Sequence, residues 1–223
     1  MLNQNVTVTK EVRKRQTILF FSPLMIVPVV FLTAILFKTL LHVWTWVPVL
    51  MVYWAAIGTC ILLFSGKDQM ISWLKRPNGK WLWSVLPFLF TFLAMPVFIE
   101  NWRHLGSMMI FIPWLLVGII NPFLKNGYWR GLFLDMKGTM PAWLVIAYTS
   151  ILFGANHLSL AVTSIPCRNP VFLINTVVLG IVYSIVYYKT KSLRWVIIAH
   201  ALMDFLGMSV LCFLNIYIPP SFG

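Results

Sequence analysis

The chain alternates long apolar runs with short polar punctuation from residue 17 onward. Seven runs have the length to cross a bilayer: residues 17–37, 44–64, 81–99, 105–124, 141–165, 170–188 and 195–218. A helix needs about 20 apolar residues, at 1.5 Å each, to span a hydrocarbon core of roughly 30 Å. The first four runs and the sixth hold no Asp, Glu, Lys or Arg. The fourth stays apolar through Trp129, Leu132, Phe133 and Leu134, so its helix is expected to continue to about Met136. Prolines inside the runs, such as Pro23, Pro28, Pro87, Pro96, Pro113 and Pro122, predict kinks, which neighbouring helices make tolerable in a membrane. Trp44, Trp46, Trp81, Trp83, Tyr187, Tyr188 and Trp195 fall near run ends, where amphipathic rings anchor at the interface. The pattern predicts an all-α fold, a polytopic transmembrane bundle of about seven or eight helices.

Composition agrees: 60% of residues are hydrophobic and 10% charged, where a soluble domain carries roughly a quarter charged. Lipid is therefore the expected solvent. The formal charge of +12 would suit nucleic acid, but the cations sit between apolar runs and form no contiguous patch. Topology accounts for them better. Alternate loops around residues 10–15, 67–80, 125–137 and 189–194 hold all of the 17 Lys and Arg except Lys38, Arg103 and Arg168. By the positive-inside bias this predicts a cytoplasmic N-terminus and a C-terminus on the opposite side. The chain divides into a cytoplasmic segment (1–16), three transmembrane helices (17–104) and a helical core (105–223). No cleavable signal peptide is read. Cys60, Cys167 and Cys212 match neither a metal spacing nor a disulfide framework.

The last third concentrates polar groups where lipid should forbid them. An ionisable side chain at the membrane centre costs roughly 2.5 kcal/mol or more, so such residues are functional candidates by default. Lys125 and Asn126 precede Trp129-Arg130-Gly131; His157 closes Phe153-Gly154-Ala155-Asn156-His157; His200 and Asp204 lie four apart. Helical spacing puts Phe153 and His157 on one face, and likewise His200 and Asp204. Counted from the flanking loops at 1.5 Å per residue, Arg130 and His200 lie about 12–13 Å deep, Lys125 and Asp204 about 20 Å, and His157 roughly 27 Å. Three antiparallel helices can thus deliver one buried polar cluster. A lone intramembrane histidine is more often a helix–helix hydrogen-bonding group, but five ionisable residues on three helices weigh against that reading.

These residues resemble the CPBP family (CAAX proteases and bacteriocin-processing enzymes), the type II CAAX prenyl protease included. The family pattern is EExxxR, often continued as WRG, then FxxxH, then HxxxN or HxxxD, each on a membrane helix. The matching residues are Trp129-Arg130-Gly131, Phe153 to His157, and His200 to Asp204, and the resemblance covers residues 110–214. It implies a catalytic set of Lys125, Asn126, Arg130, His157, His200 and Asp204. The departure is in the first motif. The glutamates that activate water in the family fall at Lys125 and Asn126, and neither is acidic. Losing a general base typically costs about 10²–10⁴-fold in rate.

The resemblance implies an intramembrane endopeptidase cutting near the cytoplasmic leaflet, weakened or inactive. The alternative is a non-catalytic binding protein of the same family, acting in bacteriocin self-immunity or membrane-protein regulation. A proton-coupled transporter is disfavoured, because no two related halves with broken helices are visible. Water activation by Asp204, a histidine or a neutral Lys125 stays open. A zinc ion on His157, His200 and Asp204 is not favoured beside Lys125 and Arg130, so no cofactor is expected. The simplest arrangement pairs Lys125 with Asp204. Expected partners are the lipid bilayer and a membrane-associated peptide or protein, and no nucleic acid. The expected location is a bacterial plasma membrane.

Overall fold

The structure, a computed structural model, describes residues 2–216, with side chains from residue 10 onward. The last two residues of the seventh apolar run lie outside the described residues. Helix α1 (Leu2–Leu41) and helix α2 (Trp46–Phe64) form an antiparallel hairpin. The reversal occurs at His42, whose φ of 47° is left-handed. Thr45 Oγ1 tightens the turn by donating to the carbonyls of His42 and Phe37. At the other end of the hairpin, Arg15 Nη2 donates to the Leu63 carbonyl at 2.8 Å.

A short helix, α3 (Lys67–Trp73), then turns the chain into the third apolar run. That run is expected as one kinked helix and follows one right-handed helical path, Leu82–Gly106, in which the α-helical bonding is interrupted into α4 (Leu82–Val85), α5 (Phe88–Thr91) and α6 (Met95–Asn101). Pro87 and Pro96 stand at the breaks, each lacking an N–H and opposing a preceding carbonyl. The fourth run is helical to Asp135: α7 (Met108–Asn126), one wide π turn (Gly127–Leu132) and α8 (Phe133–Asp135).

The fifth run is shorter than expected. Helix α9 (Ala142–Asn156) stops at His157, and α10 (Leu158–Ala161) adds one turn. Helix α11 (Pro170–Thr190) is capped by Asn169, whose side chain accepts from the Val171 N–H, and ends at Lys191 with φ 55°. The seventh run is also broken, into α12 (Arg194–Leu206) and α13 (Ser209–Leu214). Met208 between them has φ 49°, and a Cβ on Gly207 would meet the Met203 carbonyl oxygen at 2.6 Å.

Among the described residues, five stretches are long and apolar enough to cross a membrane; the first, residues 10–64, is the hairpin. With 13 residues, α12 falls short. The outward faces are apolar, with Leu93 75%, Leu62 73% and Trp143 70% exposed, as a helical membrane bundle requires. The interior closes through small residues, since lipid offers no hydrophobic drive between helices. A Cβ on Gly180 of α11 would meet Ser150 Cα of α9 at 3.1 Å, so these helices touch backbone to backbone. The cation-rich loops gather at one end. Asn78 N–H donates to the Thr190 carbonyl, and Gly138 abuts the Gln16 side chain. A fork of donors on one carboxylate ties that end. Asp135 accepts from Gln69 Nε2 at 2.9 Å, Trp73 Nε1 at 3.0 Å and Tyr187 Oη at 2.7 Å.

Candidate functional site

The α7–π–α8 rod supplies Asn121 and Lys125, four residues apart, and Asn126 and Arg130, likewise four apart, on the side facing the bundle interior. All four are buried, Asn126 completely. The π turn inserts one extra residue into the helical path, a distortion found often at functional sites. It places Tyr128, Trp129 and Arg130 all inside. Trp129 Nε1 donates to Tyr53 Oη of α2 at 2.6 Å. Gly131 leaves room for Trp73, whose indole would lie 2.6 Å from any Cβ there.

Phe153 of α9 is the floor of the site. Its ring carries the Arg130 guanidinium with Cζ 4.2 Å from the centroid, and Lys125 Nζ lies at 5.7 Å. His157 stands edge-on to it at 4.9 Å and His200 at 6.4 Å. A cation over an aromatic face gains roughly 1–2 kcal/mol when desolvated.

Hydrogen bonds fix both imidazole tautomers. His157 Nδ1 lies 2.8 Å from the Phe153 carbonyl, which can only accept, so Nδ1 carries the proton. The remaining nitrogen of His157, Nε2, faces Lys125 Nζ at 3.5 Å. His200 Nδ1 lies 2.9 Å from Asn126 Nδ2. The same amide nitrogen donates to the Pro122 carbonyl at 2.7 Å, so the nitrogen side of Asn126 is the one that faces His200. His200 Nδ1 therefore accepts, and its Nε2 points at Asp204 Oδ2, 3.9 Å away.

Asp204 is held by others. Asn121 Nδ2 donates to Oδ2 at 2.8 Å, and Ser209 Oγ donates to Oδ1 at 3.1 Å. The expected Lys125–Asp204 pair is not formed; His200 Nε2, on a neutral ring, faces Asp204 Oδ2 at 3.9 Å. Asn121 and Ser209 satisfy Asp204 with one neutral donor on each oxygen, and the Lys125 amine is turned to His157 instead. Among the described residues, no three of His, Cys, Asp and Glu are grouped to hold a metal ion. The Lys125 amine occupies the His157 nitrogen that a zinc ion would need.

The structure thus brings together all six residues singled out in the sequence. It adds Tyr53, Asn121 and Tyr183, whose ring lies 5.8 Å from that of His200 and 5.7 Å from Arg130 Cζ. The cluster therefore draws on α2 and α11 as well as three helices of the second half. A signal for them existed. Tyr53 and Tyr183 lie in the middle of apolar runs and not at the interface, and Asn121 sits four residues before Lys125.

A family model described as Type II CAAX prenyl endopeptidase Rce1-like matches residues 106–206. Neither a curated protein nor a solved structure matches the chain. The matched stretch runs from the start of α7 to the end of α12 and so contains every residue of the cluster except Tyr53 and Ser209. With a membrane bundle around those motif residues, the match is consistent with a CPBP family protein and supports a CAAX-type intramembrane protease at the family level.

Proposed function

We propose that this protein is a CAAX-type intramembrane peptidase relative whose water-activating step is disabled, and that it engages a membrane peptide without cutting it efficiently. One observation carries this reading. The imidazole lone pairs are taken by donors from the two positions where the family has glutamates: Lys125 Nζ on His157 Nε2 and Asn126 Nδ2 on His200 Nδ1. A general base must have a lone pair in reach of the proton it takes, and in this cluster both histidines spend theirs on the protein. Asp204, the remaining carboxylate, is engaged by Asn121 and Ser209.

Binding remains chemically sound. The cluster is buried, aromatic-floored and cationic, which suits the polar segment of a membrane peptide. A self-immunity or membrane-regulatory role fits a protein that holds such a peptide. The cation-rich loops at one end support a cytoplasmic N-terminus, and a bacterial plasma membrane is the proposed location.

The test is reconstitution in liposomes with candidate CAAX-type and membrane peptides, read by mass spectrometry. The unaltered protein should be silent, and the Lys125→Glu, Asn126→Glu double variant should gain cleavage that His157→Ala then removes. Cleavage by the unaltered protein, abolished by His157→Ala, would overturn the proposal.

A further inference from the structure

The arginine at the centre of the cluster is buried without an acid. Arg130 is 1% exposed, and among the described residues none of Nε, Nη1 and Nη2 has a hydrogen-bond partner. A guanidinium is a permanent cation with five N–H donors in a planar fork. Burying one unpaired is among the costliest arrangements a protein can hold. Phe153 covers one face of the plane and offers no acceptor to its edges.

No Asp or Glu side chain among the described residues supplies the missing acid. Its five Asp and Glu all fall among the described residues. Glu11, Asp68 and Glu100 are exposed. Asp135 is engaged by Gln69, Trp73 and Tyr187, and Asp204 by Asn121, Ser209 and His200. Lys125 adds a second amine at the same floor, 5.7 Å from the Phe153 centroid.

We infer that Arg130, assisted by Lys125, receives a carboxylate carried into the membrane by another peptide chain. The fork of Arg130 matches a carboxylate in two parallel N–H···O bonds, and a charge-assisted pair of that kind is strong where water is absent. The residue that the first motif lacks in this chain would then be provided by the partner. The inference rests on the proposed function only in taking a membrane peptide as the ligand. Entry is from the side of α4–α6, the least embedded stretch, where 17% of the apolar window is buried against 56% for α9–α10. Leu86 in that stretch packs on the cluster of Tyr183, Val186 and Val196 beside Arg130.

The experiment measures binding of synthetic apolar helical peptides to the whole protein in phosphatidylcholine nanodiscs, by fluorescence anisotropy. One peptide carries a single mid-membrane Glu and an amidated C-terminus; its controls carry Gln, or the Glu methyl ester. A third, shortened peptide ends at mid-membrane in a free carboxylate, to distinguish a chain terminus from a side chain as the source. At least one carboxylate peptide should bind about tenfold or more tighter than its neutral control. Arg130→Gln should erase that preference and Arg130→Lys should keep part of it; Lys125→Gln should reduce it. The ester control needs no variant, so a misfolded Arg130→Gln leaves the test intact. Equal binding of acid, Gln and ester peptides, or a preference that survives in folded Arg130→Gln, overturns the inference. Cleavage by the unaltered protein would sink the proposed function alone, whereas absence of acid preference sinks this inference alone.

Discussion

Lys125 Nζ lies 3.5 Å from His157 Nε2 and forms no ion pair with Asp204. The lysine at the first motif position is therefore bound to the histidine of the second motif and not to the acid of the third. That relationship leaves the lone pairs of both motif histidines engaged by the side chains at the first-motif positions. It also separates two energetic accounts of the same residue.

If Lys125 balanced Asp204, removing it would strand a buried carboxylate and cost about 3–5 kcal/mol. Because Asp204 is satisfied by Asn121 and Ser209, Lys125→Met leaves only the His157 Nε2 acceptor without its donor and should cost no more than about 1–3 kcal/mol. The midpoint of thermal unfolding in detergent should fall by a few degrees at most. A loss of many degrees would show that the lysine is a charge partner after all.

Asp135 is a different kind of acid. It sits at the cation-rich end, and three donors from α3 and α11 converge on it. Asp135→Ala leaves the Trp73 indole and the Tyr187 hydroxyl without their acceptor, at about 1–3 kcal/mol for a buried donor left unmade. The exposed Asp68 has no such role, so Asp68→Ala should fall within about 0.5 kcal/mol. Parallel melting curves of the two variants check the contrast.

The bundle and the site were unequally legible in the sequence. Run length against bilayer thickness gave the helical membrane class. The i, i+4 spacings put His157 beside Phe153 and His200 beside Asp204. What spacing could not give was partner choice. Asn121 reaches Asp204 across 83 positions and Tyr53 reaches Trp129 across 76, and such separations leave no local periodicity. The break in the seventh run was hidden for another reason. Met208 is left-handed, a conformation that its residue type gives no cause to expect. The third run keeps one helical path from Leu82 to Gly106, and its prolines interrupt the α-helical hydrogen bonding without ending it, as expected of proline in a membrane helix.

Gly131 tests the packing behind the motif. A Cβ there would lie 2.6 Å from Trp73. That indole cannot retreat: it is fully buried and its Nε1 is tied to Asp135. Gly131→Ala should therefore cost about 1–3 kcal/mol as overpacking, although alanine is the better helix former. Gly66 has nothing within 4 Å of a built Cβ, and Gly66→Ala should be close to neutral. Denaturation midpoints for the pair would decide; equal midpoints would mean that the π turn or α3 relaxes freely.

Cys167 offers a pH test away from the membrane-spanning segments. It lies between α10 and α11, fully buried. Burial pushes its thiol up from an ordinary 9.0 to about 11, with the Ser164 hydroxyl and Lys125 pulling weakly the other way. The sign follows from proton counting. Between pH 9 and 11 the folded thiol keeps its proton and the unfolded one has lost it, so stability falls as pH rises through that window. The loss by pH 11 is roughly 2–3 kcal/mol for a shift of this size. Below pH 9 both states are protonated and the contribution is flat. Lysines and tyrosines titrate in the same range, so the measurement is a difference: thermal midpoints of the unaltered protein and Cys167→Ala at intervals from pH 8 to 11. The alanine variant should lose less stability over that range, and maleimide should label Cys167 only in unfolded protein. Parallel pH curves, or rapid labelling at pH 7.5 without denaturant, would show that the thiol is open to solvent and that the turn after His157 does not seal the floor of the cluster.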